Sequence, residues 1–493
     1  MKQPNILFFM TDNQPAEALG CAGNTELKTP NIDALAKRGT RFTNAHCVNA
    51  MCSPCRASVL TGLMPSQHGV HNWLDDTLMD QWPQNWSAIE EFPTLPQQFK
   101  AAGYNTALIG KYHLGMPFEP QNGFDHWVTF PHGHTHTFYG NEVIDNGKRY
   151  TVDGHTVDFF AQKTHEYLET QTDSEAPFFA FVPFNGPYGH FPAISGRGPE
   201  PFASMYDDAD MHSIPREGLN PAIIDRLAMR LAAGGGKIRP QFKGPLLLPN
   251  NMEALRNYYA QFSLIDHHIG EILATLDRLD LSRETIIVFT ADHGFSLGHN
   301  GIWGHGAATW PSTTHHAAFN IPLIIAGDPI AAKGRISDGL TSQLDVYQTL
   351  ASLAGITPET TLPSAANDLT PTLTGKPQTF PDAVFMEQEE TRAIRTNQWL
   401  YMQRFNGAVD FPTTDALFNL TSDPAETTNL AADPAHTDIT KSLRAKITAF
   451  FDTHSQPQYD LWSGGSAKSN TQAPELWQNA WGADWAPERP ARP

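Results

Sequence analysis

Cysteine is nearly absent from this chain: four among 493 residues, at Cys21, Cys47, Cys52 and Cys55, all near the start. Four thiols in a protein of this length make no disulfide framework, so reactivity is the better reason to look at them. Positive charge is also short. The 33 Lys and Arg stand against 52 Asp and Glu, a net of −19, which repels phosphate backbones and anionic headgroups and argues against a nucleic-acid partner. Long apolar runs are missing too: Ile6 to Met10 and Pro322 to Ala326 fall far short of the roughly 20 residues that cross a bilayer, so no membrane span is expected. The opening Met1-Lys2-Gln3-Pro4 runs straight into a short apolar stretch with no room for a leader's apolar region and cleavage site. The chain reads as cytoplasmic as written, or as periplasmic or secreted if a leader has been removed.

What is present is a large core: 40% of the residues are hydrophobic and 17% charged, and two domains are expected. Through the first 355 residues, apolar runs alternate with helical patterns. Strands are predicted over 5–10, 106–109, 177–183, 285–290 and 321–326, with a weaker one over 41–46. Helices are predicted over 31–38, 56–63, 95–102, 155–171, 252–280 and 342–354. That alternation implies an α/β fold, a mostly parallel sheet with helices on both faces. In such sheets chemistry gathers at the carboxyl ends of the strands, where Asp12, Lys111 and Asp292 stand. Two long stretches, 117–152 and 193–250, read as irregular, and loops of that length usually shape a site.

A linker rich in Pro and Thr covers 356–382, followed by predicted short antiparallel strands over 383–386, 393–396 and 399–404 and a helix over 439–451. The expected organisation is a catalytic unit over 1–370, a smaller C-terminal α+β unit with a short antiparallel sheet over 371–455, and an extended tail over 456–493. The tail carries Trp462, Trp477, Trp481 and Trp485 and is expected to lie across a surface, with a homo-oligomer contact left open.

The strongest motif is Cys52-Ser53-Pro54-Cys55-Arg56-Ala57-Ser58-Val59-Leu60-Thr61-Gly62. A thiol just ahead of a helix N-terminus and four residues before Arg56 sits in positive potential that stabilises an anionic sulfur or oxygen. Cysteine followed by Pro two on, Arg four on and Thr-Gly nine and ten on resembles the signature of the type I sulfatases of the alkaline phosphatase-like superfamily. The resemblance implies that a formylglycine-generating or anaerobic sulfatase-maturating enzyme oxidises Cys52 to formylglycine. Cys52 and Cys55 also satisfy C-x-x-C, so a redox pair or half a zinc site stays open, although Cys21 and Cys47 are badly spaced to complete one. Cys55 departs from the family, which more often has Ser or Ala there.

Other segments match the same family. Asn5 to Asn13 is similar to the segment supplying two metal ligands, here Asp12 and Asn13, and Asp292-His293-Gly294 to the second metal segment. With the modified Cys52, these imply a divalent site. Ca²⁺ is the family's usual metal, and the nitrogen of His293 is compatible with Mn²⁺. Gly110-Lys111-Tyr112-His113-Leu114-Gly115 resembles the family's G-K-W-H-x-G segment. It implies that Lys111 binds sulfate oxygens and that His113 contacts the formylglycine hydroxyl and takes its proton. The family's Pro-His is replaced by Asn185-Gly186-Pro187-Tyr188-Gly189-His190, so either Tyr188 or His190 is placed to contact substrate. Its W-G-K is replaced by Trp303-Gly304-His305, which makes His305 the first candidate for general acid. Asp423 to Ala431 resembles a structural segment of the family.

The implied chemistry is hydrolysis of a sulfate monoester, small or carried by an oligosaccharide. A hydrated formylglycine hydroxyl, held by Arg56, attacks sulfur; the alcohol leaves with a proton from His305 or His190, and sulfate is expelled as the aldehyde re-forms. Two alternatives remain: a phosphonate monoester or phosphodiester hydrolase on the same nucleophile, and an unmodified relative that only binds sulfated glycans. His132, His134 and His136, the pair His315-His316, and the aromatic residues Trp73, Phe138, Tyr139 and Trp310 are expected at a substrate rim or in ordinary packing.

Overall fold

The computed structural model describes residues 3–490 except 197, 199, 200, 217 and 412. Its centre is the strand Asn5–Asp12, buried along its whole length. Successive side chains of a strand point to opposite faces, so this run feeds two cores at once. Ile6, Phe8 and Met10 join a layer with Cys55, Val59 and Leu350, while Leu7 and Phe9 join one with Phe160, Ile265 and Ile269. A strand covered on both faces reads as a continuous apolar run, which is why this one is visible in the sequence.

The ten-stranded sheet runs Arg335–Ser337, Gly39–Phe42, Leu323–Ala326, Thr285–Ala291, Asn5–Asp12, Phe178–Pro187, Asn105–Ile109, His126–Thr129, Glu142–Asp145, Lys148–Thr151. From Thr285–Ala291 to His126–Thr129 all pairings are parallel. Leu323–Ala326 pairs antiparallel with both neighbours, and the hairpin at the far edge is antiparallel as well. The sheet is therefore parallel at its centre and mixed toward its edges. The helices Cys52–Thr61 and Asp345–Leu353 cover one face, and Thr156–Thr170 and Met252–Arg278 the other.

Three segments differ from the sequence expectation. Residues 117–152, read as irregular, contain three short strands; the last, Lys148–Thr151, is wholly exposed and so carries no hydrophobic alternation. Its turn is Asn146-Gly147 with φ of 47° and 83°, the conformation that this pair favours between strands. Residues 193–250 contain the helix Pro221–Ala233, which buries Ile223, Arg226 and Leu227; its start is set by Asn220, whose side chain accepts from the Ala222 N–H, and by Pro221 in the first turn. The segment that opens with Cys52 is helical from Cys52 to Thr61 rather than from 56, with Gly62 closing it at φ 70°.

The C-terminal unit is a four-stranded antiparallel sheet, Ala383–Gln388, Thr391–Thr396, Trp399–Arg404 and Ala416–Asn419, packed by the helix Thr437–Thr453. The stretch after 455 folds back over its own chain. Leu461, Leu476 and the fully buried Trp477 pack with Phe405, the short helix Pro474–Trp481 forms, and Lys468 Nζ donates to the Ala88 carbonyl at 2.7 Å. The last three residues of the tail lie outside the described residues. Among the described residues no helix is long and apolar enough to cross a membrane.

Phe8 is fully buried and its ring lies 5.0 Å from that of Phe181. Phe8→Ala is expected to lower the unfolding free energy by about 3–5 kcal/mol, read as a shifted midpoint in equilibrium denaturation.

Candidate active site

Five loops bring the chemistry together at the carboxyl ends of the central strands. Asp12 ends Asn5–Asp12, and Asn13 follows in the left-handed region at φ 64°. Lys111 and His113 follow Asn105–Ile109, Tyr188 and His190 follow Phe178–Pro187, and Asp292 and His293 follow Thr285–Ala291. The helix Cys52–Thr61 points its first turn at them, with Cys52 at its start and Arg56 one turn on. His305 arrives from the short hairpin that includes Trp303–Gly304.

Arg56 joins the strands electrostatically. Its Nη2 donates to Asp12 Oδ2 and Asp292 Oδ2, each at 2.9 Å, and its Nη1 to the Lys111 carbonyl at 2.7 Å, all fully buried. Lys111 Nζ lies 2.5 Å from the same Asp12 Oδ2. Burial alone would raise the Asp12 carboxyl, but Lys111 and Arg56 outweigh it and hold it well below the usual carboxylate range. Burial likewise opposes the charges on Arg56 and Lys111, and the facing carboxylates overcome it, so both cations are held charged. Cys52 Sγ stands 3.8 Å from Asp12 Oδ1 and 3.6 Å from His293 Nε2.

The thiol behaves differently from the sequence expectation. Burial and the adjacent Asp12 carboxylate push Cys52 well above the ordinary thiol range, and the helix and its two cations do not reverse this. Unmodified Cys52 is therefore a thiol and a poor nucleophile. Cys55 Sγ turns to the Asn49 carbonyl at 2.5 Å, whereas Cys52 Sγ faces Asp12 and His293.

Imidazoles line the approach. The ring of His305 lies 4.6 Å from that of His293 and 4.8 Å from that of His190. Burial, followed by the nearby His293, pushes His190 down to about 3 and His305 well below the usual range, so both are neutral at pH 7. His113 sits at φ 55° with its Nε2 3.0 Å from the Leu74 carbonyl and its Nδ1 buried without a partner. Gly133 covers that ring so closely that a Cβ there would collide with it. Lys111 Nζ lies 4.9 Å from the centre of the Tyr188 ring. Of the residues at this site, Cys52, Tyr188, His190 and His305 border a cavity of about 330 Å³, within the usual range for small-molecule sites.

A sequence model described as Sulfatase matches residues 4–356. The chain belongs to the sulfatase family. It is 29% identical over 474 residues to an ulvan-active sulfatase of Formosa agariphila, covering 90% of this chain and 80% of that one. It is also 29% identical to a choline-sulfatase of Rhizobium meliloti, covering 96% and 90%. Among solved structures, a putative sulfatase of Bacteroides fragilis superposes with a TM-score of 0.73 at 26% identity, covering 93% of this chain and 98% of that one. A structure solved in complex with its substrate D-glucosamine-2-N,6-O-disulfate shares the fold, with a TM-score of 0.69 at 22% identity and coverage of 93% and 99%. This chain is thus a sulfuric ester hydrolase by family, with the alkaline phosphatase-like sheet and a small C-terminal sheet.

Sulfatases generally hold a metal ion, and the residues here fit one. Single ligand atoms of Asp12, Cys52, Asp292 and His293 lie within 4.8 Å of one another, all buried. Arg56 occupies both Oδ2 atoms, which leaves Oδ1 of each carboxylate toward the cluster. Asn13 Oδ1 is buried without a hydrogen-bond partner. The Nδ1 of His293 is 2.8 Å from the Gly294 carbonyl, a contact that makes Nδ1 the donor and frees the Nε2 lone pair for a cation.

The sequence-predicted residues Asp12, Asn13, Cys52, Arg56, Lys111, His113, Tyr188, His190, Asp292, His293 and His305 all come to this one region of the sulfatase fold. Among the aromatic candidates, Trp73 lines the cavity, whereas Phe138 is core and Tyr139 is exposed elsewhere. His315 and His316 serve a buried ion pair with Glu426. Residues that sequence reasoning missed are Asp76, which holds His134 Nδ1 at 2.8 Å, and Arg226, Arg230, Arg239 and Phe242 on the cavity wall. Their only signal was the length of the 193–250 stretch.

With free Ca²⁺ a hundredfold above its Kd, the folded protein should gain about 2.7 kcal/mol, seen as a raised thermal midpoint that chelation reverses. Asp292→Asn should remove most of that shift; an equal shift in the variant would place the ion elsewhere.

Proposed function

We propose that this chain hydrolyses a sulfate monoester carried by a carbohydrate, with Cys52 matured to formylglycine as the nucleophile and Ca²⁺ as the metal. The observation that carries this reading is the position of Cys52, at the floor of a cavity within 4 Å of both Asp12 and His293 and one helical turn from Arg56. The residues that would hold the cation are Asp12, Asn13, Asp292, His293 and the modified residue 52. When bound, the ion supplies fixed positive charge that offsets the negative charge developing on the sulfuryl oxygens. Oxygen-rich ligation by two carboxylates and a carboxamide suits Ca²⁺.

Hydration of the aldehyde gives residue 52 two hydroxyls, one to attack sulfur and one whose loss of a proton releases sulfate. Arg56 orients the first from one turn along its own helix. His113 takes the second proton through Nδ1, the ring atom left without a partner, because Nε2 is engaged with Leu74. Lys111 holds the sulfate oxygens, and Tyr188, whose buried phenol keeps its proton, packs its ring beside that ammonium. His305 and His190 are neutral before substrate arrives; an anionic ester placed beside them favours their protonated forms, which suits them to protonate the departing alcohol.

Cys52 is 7% exposed, so a formylglycine-generating or anaerobic sulfatase-maturating enzyme must meet this segment before it is packed. The aromatic faces of Trp73 and Phe242 on the cavity wall suit the apolar face of a sugar ring.

Protein from a maturation-competent host should turn over aryl sulfates faster than aryl phosphonates, and spectrometry of the residue 52 peptide should show the aldehyde in place of the thiol. Retained thiol with no turnover would leave a glycan binder; faster phosphonate turnover would reassign the enzyme. Among variants, His305→Ala should lose about 10²–10⁴ in kcat on an alkyl sulfate and much less on an aryl sulfate whose leaving group needs no proton. Equal losses on the two esters would remove His305 as the acid.

A further inference from the structure

Three arginines, Arg226, Arg230 and Arg239, line the cavity that reaches Cys52. Two of them are engaged. Arg226 Nη2 donates to Gln472 Oε1 at 2.8 Å, and Arg239 Nη1 lies 3.5 Å from Asp75 Oδ2. Arg230 is not: among the described residues it has no ion pair, and its Nε is buried with no hydrogen-bond partner.

The guanidinium of Arg230 lies 4.5 Å from the centre of the Phe242 ring and 5.5 Å from that of Trp73. Aromatic faces attract the cation, but they do not replace the strong acceptors that its N–H groups take. A guanidinium donates in its own plane, two N–H groups at a time, to carboxylate or sulfate oxygens. Burial, reinforced by Arg226 and only partly offset by Glu389 and Glu475, pushes Arg230 down to about 9, so it is still a cation at neutral pH, and among the described residues no carboxylate pairs with it directly. A half-buried guanidinium whose N–H groups meet ring faces rather than acceptors keeps the capacity to donate to an anion that enters the cavity. The scissile sulfate does not fill this role, because Lys111 and Arg56 stand at residue 52 to receive it.

We propose that Arg230 binds a second anionic group of the substrate, a carboxylate or an additional sulfate on the saccharide that carries the scissile ester. This rests on the sulfatase reading and narrows it. The wall also holds Asp75 and Asp76, which would suit a cationic substrate, but Asp75 is paired with Arg239, and Asp76 accepts from the Gly133 and His134 amides and pairs with the His134 ring. The unpaired charge in this cavity is positive, which disfavours a quaternary ammonium ester.

The test compares kcat/KM for monosulfated uronic acids, disulfated hexoses and monosulfated neutral hexoses, each as positional isomers, in wild type, Arg230→Gln and Arg230→Lys. Wild type should prefer at least one dianionic set over the neutral one. Arg230→Gln should lower that preference roughly ten- to a hundredfold, the worth of a hydrogen-bonded charge, and Arg230→Lys should restore part of it. Loss confined to the uronic acids identifies a carboxylate, and loss confined to the disulfated sugars a second sulfate. An unchanged preference in Arg230→Gln overturns the proposal. If wild type turns over no sulfate ester, the sulfatase reading fails instead, and thermal shift then decides this site. Glucuronate or a hexose disulfate should stabilise wild type, glucose should not, and Arg230→Gln should lose the effect; absence of any shift in wild type overturns the anion site.

Discussion

Arg56 donates through one nitrogen to carboxylates from two different strands, and the rest of the site is arranged around that fork. Asp12 and Asp292 are both fully buried, and side by side they would repel one another. A guanidinium between them satisfies one oxygen of each and turns the remaining two toward a common point. The cost of carrying this charge into the interior is repaid only while every partner is in place; removing one member of such a buried set generally costs about 3–5 kcal/mol. Lys111 completes it from the loop after Asn105–Ile109, two strands away from Asn5–Asp12. The outcome is a local balance of two positive and two negative side chains that owes nothing to the overall charge of −19.

Backbone conformation contributes to the same end. Asn13, His113 and Tyr188, each just after a strand of the central sheet, adopt positive φ values of 64°, 55° and 42°. Side chains with a Cβ rarely take that region, and when they do the surroundings over-determine it. Here each reversal comes directly where a strand must stop pairing and present a functional group. Gly133 plays the complementary part by having no side chain where the His113 ring lies.

Much of this was legible before the structure. Strands buried on both faces, such as 5–12 and 285–291, announce themselves as unbroken apolar runs, and the residues that end them are the ones with chemistry. Cys52 and Arg56 were legible through their spacing. The charge state of Cys52 was not, because a one-dimensional reading sees the helix and Arg56 but not two carboxylates arriving from strands 40 and 240 residues away. The cavity wall was illegible for a related reason. Arg226 and Arg230 lie on a helix whose apolar spacing at Ile223, Leu227 and Leu231 was there to read, but nothing in one dimension tells which of its polar side chains face a void.

The way the last forty residues are fastened bears on where this protein ends as a working unit. Glu389 accepts from Thr471 and from the backbone of Gln472, and Gln472 in turn grips Arg226. Lys468 reaches Ala88, and Tyr459 packs against Gly69. The stretch that matches the family stops at residue 356, yet Arg226 on the cavity wall is held by Gln472, which lies beyond that stretch. A version of the protein trimmed to the matching portion would lose that brace on Arg226 and also the Glu387 and Gln388 contacts that hold Asn49 and Ala50 just ahead of Cys52.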